Sequence, residues 1–210
     1  VFDLGPSLFA LYPEYLTAGN LLFCSMLGYA LAMLEFRGKR VLLTLVLGTL
    51  MIPGVVTFVP LFIIVANAGL IDSLPGLILP FLVTPFGVFL MRQFISGLPA
   101  DLLDAGRVDG AGELGIFGRI ILPLCGPALA TLGILTFLGS WNNFLWPLVV
   151  AQTEKNYTLP VALALYSTGQ NNTQYGLLLA GACVVVLPLM LVFLLFQRHF
   201  VEGIATTGIK

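Results

Sequence analysis

The sequence predicts an all-α, polytopic transmembrane helix bundle. The chain of 210 residues is 59% hydrophobic and only 9% charged, whereas soluble domains carry about 25% charged residues. So few polar side chains cannot coat a soluble globule, and the long apolar runs have the length of membrane-spanning helices. The three cysteines have no metal-site spacing and no even number for a disulfide framework, which indicates packing residues.

Five segments contain the roughly 20 apolar residues that a helix needs to cross the hydrocarbon layer. They are residues 17–35, 41–67, 76–97, 125–150 and 177–197. Pro53, Gly54 and Pro60 interrupt the second segment. Pro80 and Pro85 interrupt the third, so we expect kinks or locally unwound turns in both.

Basic residues indicate the orientation of these segments. The loops around residues 68–75 and 151–176 hold only Lys155, and the other eight of the nine basic residues lie in the alternate connections or, for Arg92, near the end of the third segment that leads into one. These eight are Arg37, Lys39, Arg40, Arg92, Arg107, Arg119, Arg198 and Lys210. Because Lys and Arg concentrate in cytoplasmic loops, the connection at 99–123 and the C-terminus are predicted to be cytoplasmic.

The stretch DAGRVDGAGELGIFGRIILP, residues 104–123, is charged and rich in glycine between two apolar runs. Pro99 suits the first turn of a helix, and the carboxylates of Asp101 and Asp104 complement the positive end of that helix. Asp109 followed by Gly110 predicts a turn. The sequence therefore predicts a short helix that ends in a turn near residue 110.

A second short helix is predicted after the turn. Leu114, Phe117 and Ile121 recur at spacings of three and four residues, which is typical of an amphipathic helix, and Pro123 marks its end. We call the pair of helices, residues 99–123, the elbow. An apolar stripe beside exposed carboxylates suits docking into a groove of another protein. A connector that rests on the membrane surface is the alternative, and the residues alone leave both open.

No catalytic residue and no metal site is predicted. The glycines of the elbow are not followed by the Lys-Ser or Lys-Thr pair of a phosphate-binding loop. The single histidine, His199, lies next to the last span, and no serine or cysteine has a recognisable base nearby. Nothing in the sequence indicates nucleic acid as a partner.

The elbow resembles the EAA loop of bacterial ABC import permeases. The pattern of that loop is E-A-A, three residues, G, nine residues, and then I-x-L-P. The matching residues are Asp104, Ala105 and Gly106, then Gly110, and then Ile120, Leu122 and Pro123. Two positions depart from the pattern, because Asp104 replaces Glu and Gly106 replaces Ala.

Other segments resemble the carbohydrate-uptake, MalG-like branch of this family. They are MIPGVVTFVPLF, LPFLVTPFGVFLMRQF, FLGSWNNFLWPLVV, YTLPVAL and QRHFVEGIATTGIK. The resemblance covers about residues 17–210, which are predicted to form one ABC permease transmembrane domain. Family members usually have six spans, so residues 1–16 are expected to be an extracytoplasmic segment from the loop after the first span.

The resemblance implies that the elbow is the coupling helix, seated in a cleft of an ATP-binding subunit. Asp104 is expected to contact that cleft by charge, with Leu114 and Phe117 as apolar anchors, so that Phe117→Ala uncouples transport without unfolding the permease. The full set of implied coupling residues is Asp104, Ala105, Gly106, Asp109, Gly110, Ala111, Leu114, Phe117 and Pro123. The tail FVEGIATTGIK is implied to reach towards the interface between the ATP-binding subunits.

The implied assembly lies in the inner or plasma membrane of a bacterium or archaeon, surrounded by lipid. It contains a second permease subunit, most simply in a heterodimer, two ATP-binding subunits and an extracytoplasmic substrate-binding protein. This chain is expected to bind no cofactor, since ATP and magnesium belong to the ATP-binding subunits. The resemblance thus implies a non-catalytic permease that passes a sugar or sugar-like solute to the cytoplasm.

Four residues of the fourth span are candidates for the substrate path. They are Trp141, Asn142, Asn143 and Trp146. Asn inside a membrane must find a polar partner, and an aromatic ring beside an amide is a common sugar-binding combination. The alternative is hydrogen bonding between helices of the bundle.

Three other functions remain open at the level of the sequence. A secondary transporter or channel is disfavoured because an intramembrane acid or proton relay would be expected, and the interiors of the spans hold no charge except Arg92 near an edge. A membrane enzyme is disfavoured by the missing catalytic groups. Within the family, importers of glycerol phosphodiesters, trehalose or amino sugars are alternatives, although anionic solutes usually require a basic pore residue, and none is evident here.

Overall fold

The computed structural model describes residues 11–168 and 175–205, and the regular structure within these ranges is entirely helical. The helices are α1 (Leu11–Met33), α2 (Lys39–Leu50), α3 (Gly54–Asn67), α4 (Leu74–Ile78), α5 (Pro85–Ile95), α6 (Asp101–Val108), α7 (Glu113–Ile116), α8 (Leu122–Leu124), α9 (Gly126–Trp141), α10 (Leu145–Val150), α11 (Leu159–Thr168) and α12 (Tyr175–Ala205). Short 3₁₀ turns lie at Leu79–Phe81 and Glu154–Asn156, and a π-helical segment, Phe117–Ile121, joins α7 to α8. The all-α prediction is confirmed.

Within the described ranges, only α1 is by itself long and apolar enough to cross a membrane, from Tyr12 to Met33. Three pairs of helices reach that length only together, and each pair is bent by more than 40° at its break. The pairs are α2 with α3, α4 with α5, and the helix from Glu113 to Leu124 with α9. Length and composition therefore allow up to four spans here, and the five spans of the sequence analysis stay a prediction.

The expected breaks in the second and third apolar segments are helix ends with recognisable local causes. Pro53 directly precedes α3, and Pro85 is at the first position of α5, where a missing N–H costs nothing. The hydroxyl of Thr84 caps α5 by accepting a hydrogen bond from the Gly87 N–H at 3.2 Å. Pro60, in contrast, lies inside α3.

The chain forms two compact units. One, which we call the elbow unit, comprises residues 18–57 and 82–133. Its core draws side chains from α1, α5, both arms of the elbow and the start of α9. The core residues are Cys24, Tyr29, Leu31, Val88, Met91, Ile95, Leu103, Ile116, Phe117, Ile121, Cys125, Ala128 and Leu132. The elbow therefore packs against α1, α5 and the start of α9 within its own unit.

The other unit contains residues 58–81 and the described residues of 1–17 and 134–210, and we call it the Trp146 unit. Its core is formed by Tyr12, Leu16, Val65, Leu77, Trp146 and Val150. Most of the predicted segment 1–16 lies outside the described residues, as does the end of the predicted tail contact, residues 206–210.

A clamp centred on Asp72 closes the Trp146 unit at the loop between α3 and α4. The carboxylate of Asp72 accepts hydrogen bonds from the N–H groups of Gln152 and Thr153, at 2.7 and 3.0 Å, and from the Thr153 hydroxyl at 2.9 Å. The Asp72 N–H donates to the Val150 carbonyl at 2.8 Å, and the Asn156 amide donates to the Asp72 carbonyl at 2.7 Å. Two loops distant in sequence are therefore held through one residue.

Candidate functional site: the elbow

A Schellman turn separates the two arms of the elbow. The Ala111 N–H donates to the Gly106 carbonyl and the Gly110 N–H donates to the Arg107 carbonyl, each at 3.0 Å. This pattern requires a left-handed residue after the helix, and Gly110 has a φ of +79°. The predicted turn at Asp109-Gly110 therefore forms because glycine adopts this backbone at no steric cost.

The two arms approach each other closely at Gly106. A Cβ atom at this position would lie 3.0 Å from the Ile116 Cγ1 atom and 3.0 Å from the Ile120 Cδ1 atom. The departure from the Ala of the EAA pattern therefore has a local reason, since the hydrogen of glycine leaves room for both isoleucines. The elbow is a compact pair of helices rather than an open hinge.

A carboxylate that the sequence did not single out connects the two arms and α1. One oxygen of Glu113 accepts hydrogen bonds from Arg107 Nε at 3.0 Å and Arg107 Nη2 at 2.9 Å. Its other oxygen accepts a 2.6 Å hydrogen bond from the Tyr29 hydroxyl. Glu113 lies outside the predicted spans, and these bonds from Tyr29 and Arg107 hold the pKa of its carboxyl below the usual range.

The outer surface of the elbow combines acids with two prominent aliphatic residues. Val108 is 87% exposed and Leu114 is 76% exposed, on either side of the turn. Asp104, Ala105 and Asp109 are also exposed, and Arg107 Nη1 lies 3.4 Å from Asp104 Oδ1. This surface offers apolar and charged groups to a neighbour.

Phe117 does not belong to that surface. Its side chain is 6% exposed and lies in the core of the elbow unit with Ile116 and Ile121, so the prediction that Phe117 is an accessible anchor is wrong, and of the predicted stripe only Leu114 is exposed. A π-helical segment begins at Phe117, and its wider turns break the 3.6-residue period on which the stripe was based. Of the two expected apolar anchors, only Leu114 is accessible.

The remaining predicted coupling residues are spread over both surfaces of the elbow. Gly106 is buried, Ala111 is half-buried, and Gly110 and Pro123 are exposed. Pro123 lies in the first turn of α8, where its missing N–H is tolerated. Some of the predicted coupling residues therefore form the exposed surface of the elbow, and the others pack beneath that surface.

The four candidates for the substrate path lie in the Trp146 unit, around the break between α9 and α10. Trp141 ends α9, is partly exposed, stacks on Phe137 with ring centroids 5.7 Å apart, and donates its Nε1 hydrogen to the Val185 carbonyl at 3.1 Å. Asn142 is exposed, and its amide donates to the Leu138 carbonyl at 2.8 Å.

Asn143 and Trp146 make hydrogen bonds that stabilise the break between α9 and α10. Asn143 Oδ1 accepts a hydrogen bond from the Trp146 N–H at 3.4 Å, in the manner of a helix cap. Trp146 is 2% exposed and donates its Nε1 hydrogen to the Gly76 carbonyl at 3.2 Å. Edge-to-face contacts with Phe58 and Phe81 enclose its ring, so no ring face is open to a solute, contrary to the expectation for a stacking residue.

Residues 25–206 match the family of binding-protein-dependent transport system inner membrane components. The chain belongs to this family. It is 46% identical over 191 residues to the arabinooligosaccharides transport system permease protein AraQ of Halalkalibacterium halodurans, a match that covers 91% of this chain and 68% of that protein. AraQ of Bacillus subtilis is 45% identical, covering 93% of this chain and 69% of the relative.

Relatives of lower sequence identity are named for other solutes. The trehalose transport system permease protein SugB of Mycobacterium tuberculosis is 37% identical, over 89% of this chain and 69% of SugB. A solved bacterial ABC transporter involved in the import of the acidic polysaccharide alginate matches with a TM-score of 0.82 and 28% identity. This match covers 94% of this chain and 76% of that chain. The permease fold and the resemblance to the carbohydrate-uptake branch are thereby confirmed.

Sequence reasoning missed Tyr29, Val108 and the pairing of Arg107 with Glu113 in this permease. Arg107 and Glu113 are six residues apart across a turn, which is not a helical pairing distance. Tyr29 is 84 residues from Glu113, so no local pattern indicates their contact. The exposure of Val108 could have been predicted, because Val108 directly precedes Asp109-Gly110, the turn at which the helix ends.

Proposed function

We propose that the chain is a permease subunit of an ATP-driven importer of sugars, with oligosaccharides as the first class of solute to examine. The two AraQ relatives are named for arabino-oligosaccharides. Others are named for diacetylchitobiose, trehalose and lactose. A relative named for sn-glycerol 3-phosphate, 35% identical, keeps a phosphorylated polyol as the second candidate.

The elbow is proposed as the contact with an ATP-binding subunit. The observation that carries this proposal is the exposure of Val108 and Leu114, 87% and 76%, on a segment in which Ile116 and Ile121 are buried. Two exposed aliphatic residues beside Asp104 suit an apolar cleft with a basic rim. Phe117 is not part of the proposed surface, because it supports the elbow from within.

Membership of the family supports the proposed assembly. This assembly comprises a second permease subunit, two ATP-binding subunits that hold ATP and magnesium, and an extracytoplasmic substrate-binding protein. The elbow and the C-terminus lie in the cytoplasm in this proposal, as the distribution of basic residues indicates. The chain itself carries out no hydrolysis.

Trp141, Asn142 and Asn143 are proposed to line the solute path. A partly exposed indole beside an exposed amide supplies the stacking face and the hydrogen-bonding group that a sugar requires. Trp146 is left out, because it is buried in the core of its own unit. Asn142→Ala is the direct test, and uptake unchanged in affinity and rate would exclude Asn142 from the path.

The function is tested with the complete complex reconstituted in proteoliposomes. The ATPase rate and uptake are measured with arabino-oligosaccharides, trehalose, lactose, diacetylchitobiose and glycerol 3-phosphate, each with and without the substrate-binding protein. We expect ATP-dependent uptake that needs the binding protein and is fastest with an oligosaccharide. Uptake that proceeds without ATP would indicate a secondary transporter or a channel instead.

The docking surface is tested with Asp104→Lys and Leu114→Asp. Each variant is expected to co-purify less ATP-binding subunit, or to hydrolyse ATP without uptake, because an exposed contact of the interface is lost. Asp101→Lys is the matched control, since Asp101 is also exposed in the first turn of α6. Equal behaviour of Asp101→Lys and Asp104→Lys would show that helix charge alone is responsible.

A further inference from the structure

Tyr29 lies in the part of α1 that belongs to the elbow unit, and its polar side chain reaches the elbow. Its side chain is 4% exposed, and its hydroxyl donates a 2.6 Å hydrogen bond to Glu113 Oε2. A hydrogen bond this short to a carboxylate is stronger than a neutral one and directional. The apolar contacts around it hold the elbow against α1, but they lack direction and tolerate sliding.

The other oxygen of Glu113 is held by Arg107, whose Nε and Nη2 atoms lie 3.0 and 2.9 Å from Oε1. One carboxylate therefore joins α1, through Tyr29, to α6, through Arg107, while belonging itself to α7. Arg107 Nη1 also lies 3.4 Å from Asp104 Oδ1. The four residues form an unbroken polar chain from the exposed surface of the elbow to α1.

We propose that Tyr29, Glu113 and Arg107 are positioning residues that make the elbow and α1 move as one body during transport. The inference rests on the proposed function, in which an ATP-binding subunit displaces the elbow at Asp104 and Leu114. The displacement reaches α1 because the elbow cannot slide past Tyr29 without breaking a charge-assisted hydrogen bond. Gly106 supports the transfer, since the close contact of the two arms leaves little room for them to shear.

The first test is a double-mutant cycle in the complete complex. Tyr29→Phe keeps the ring, Glu113→Gln keeps the shape, and the third variant carries both. The rate of ATP hydrolysis is measured with the loaded substrate-binding protein. We expect kcat to fall by at least about threefold in each single variant, and the double variant to be no slower than the slower single one. The KM for ATP stays as in wild type, because nucleotide binds elsewhere.

Tyr15→Phe is the matched control for this cycle. Tyr15 also lies on α1 and is 53% exposed, so loss of its hydroxyl is expected to leave kcat unchanged. Multiplicative effects of Tyr29→Phe and Glu113→Gln, or wild-type kcat in both, would overturn the inference. Co-purification of the ATP-binding subunit shows that each variant is assembled.

The second test leaves Tyr29, Glu113 and Arg107 unchanged, so it does not depend on the folding of a variant of the network. Spin labels are placed at Leu22 of α1, 48% exposed, and at Asp101 of α6, in a Cys183→Ala background because Cys183 is the exposed native thiol among the described residues. We expect the same distance between the labels before and after trapping with ATP and vanadate. A changed distance would show that the elbow moves relative to α1, which contradicts the inference.

The two proposals fail in different ways. If Asp104→Lys and Leu114→Asp uncouple hydrolysis from uptake while the Tyr29 and Glu113 variants keep the wild-type kcat, the elbow is the docking surface and α1 is not its lever. If none of these variants affects coupling, the proposed docking role itself is wrong.

Discussion

The ring of Phe117 lies against the ring of Tyr29, with centroids 5.5 Å apart and planes inclined by 42°. Phe117 is 6% exposed, whereas Leu114, three residues earlier, is 76% exposed. The elbow therefore directs an aromatic side chain into its own core and an aliphatic side chain outwards. Substitutions at these two positions should have opposite consequences.

Phe117→Ala is expected to destabilise the permease by about 3–5 kcal/mol, the usual cost of truncating a buried phenylalanine. Leu114→Ala should change stability by less than about 0.5 kcal/mol, because the side chain is exposed, and should weaken the contact with the ATP-binding subunit. Thermal unfolding in detergent and co-purification distinguish the two effects. A Phe117→Ala protein that melts like wild type but fails to couple would restore Phe117 as an anchor in the cleft.

Gly110 and Gly112 provide a second contrast, within the turn of the elbow. Gly110 has a φ of +79°, and Gly112 has a φ of −72°. Gly110→Ala is expected to cost roughly 1–2 kcal/mol, because an L-residue in the left-handed region places its Cβ close to the following carbonyl. Gly112→Ala should be nearly neutral, since no described atom other than those of its chain neighbours lies within 4 Å of the added Cβ. Equal melting temperatures of the two variants would contradict the Schellman assignment.

Short sequence motifs predicted the position of the elbow, whereas the burial and contacts of its side chains depend on the tertiary structure. Asp109-Gly110 predicted the turn correctly because glycine's backbone freedom is a property of one residue. The exposure of Phe117 was predicted wrongly because a spacing of three and four residues shows which side chains share a helix face but not whether that face meets the protein's own core or a partner. The contact of Tyr29 with Glu113 could not be predicted, since it joins residues 84 positions apart.

The same distinction applies to the residues around the break between α9 and α10. The run SWNNFLW predicted polar groups in an apolar span, and the structure has an unwound turn there. Hydropathy does not distinguish a tryptophan at the lipid interface from one in the protein core, because the apolar ring and the polar N–H of the indole suit both environments. The burial of Trp146 depends on Phe58 and Phe81, which come from other parts of the chain.

Trp146→Ala is expected to lower stability by about 3–5 kcal/mol, because it empties the core of the Trp146 unit and leaves the Gly76 carbonyl without its indole donor. Trp146→Phe should cost less, since it keeps most of the ring. Neither variant should change the order in which the assembled transporter prefers solutes. Thermal unfolding and competition uptake across the sugar panel measure these properties, and an altered preference would return Trp146 to the solute path.

The stability of the Trp146 unit should depend on pH through Asp72. The nearby Asn156 amide, together with hydrogen bonds to the carboxylate from the N–H groups of Gln152 and Thr153 and from the Thr153 hydroxyl, holds the pKa of Asp72 well below its usual range. For a carboxyl with a lowered pKa, the stabilisation is fully present above the unfolded pKa, about 3.9. It is lost as the pH falls through the folded pKa, when the carboxyl gains a proton.

Asp72→Asn should therefore lower the melting temperature at pH 7 and bring the variant closer to wild type below about pH 4. Asn tolerates the positive φ of 56° at this position, so backbone strain does not confuse the comparison. Glu154→Gln is the control, because it removes a carboxylate of the same loop and leaves the clamp intact. A difference between wild type and Asp72→Asn that stays constant from pH 7 to pH 3 would show that the Asp72 charge does not stabilise the two loops.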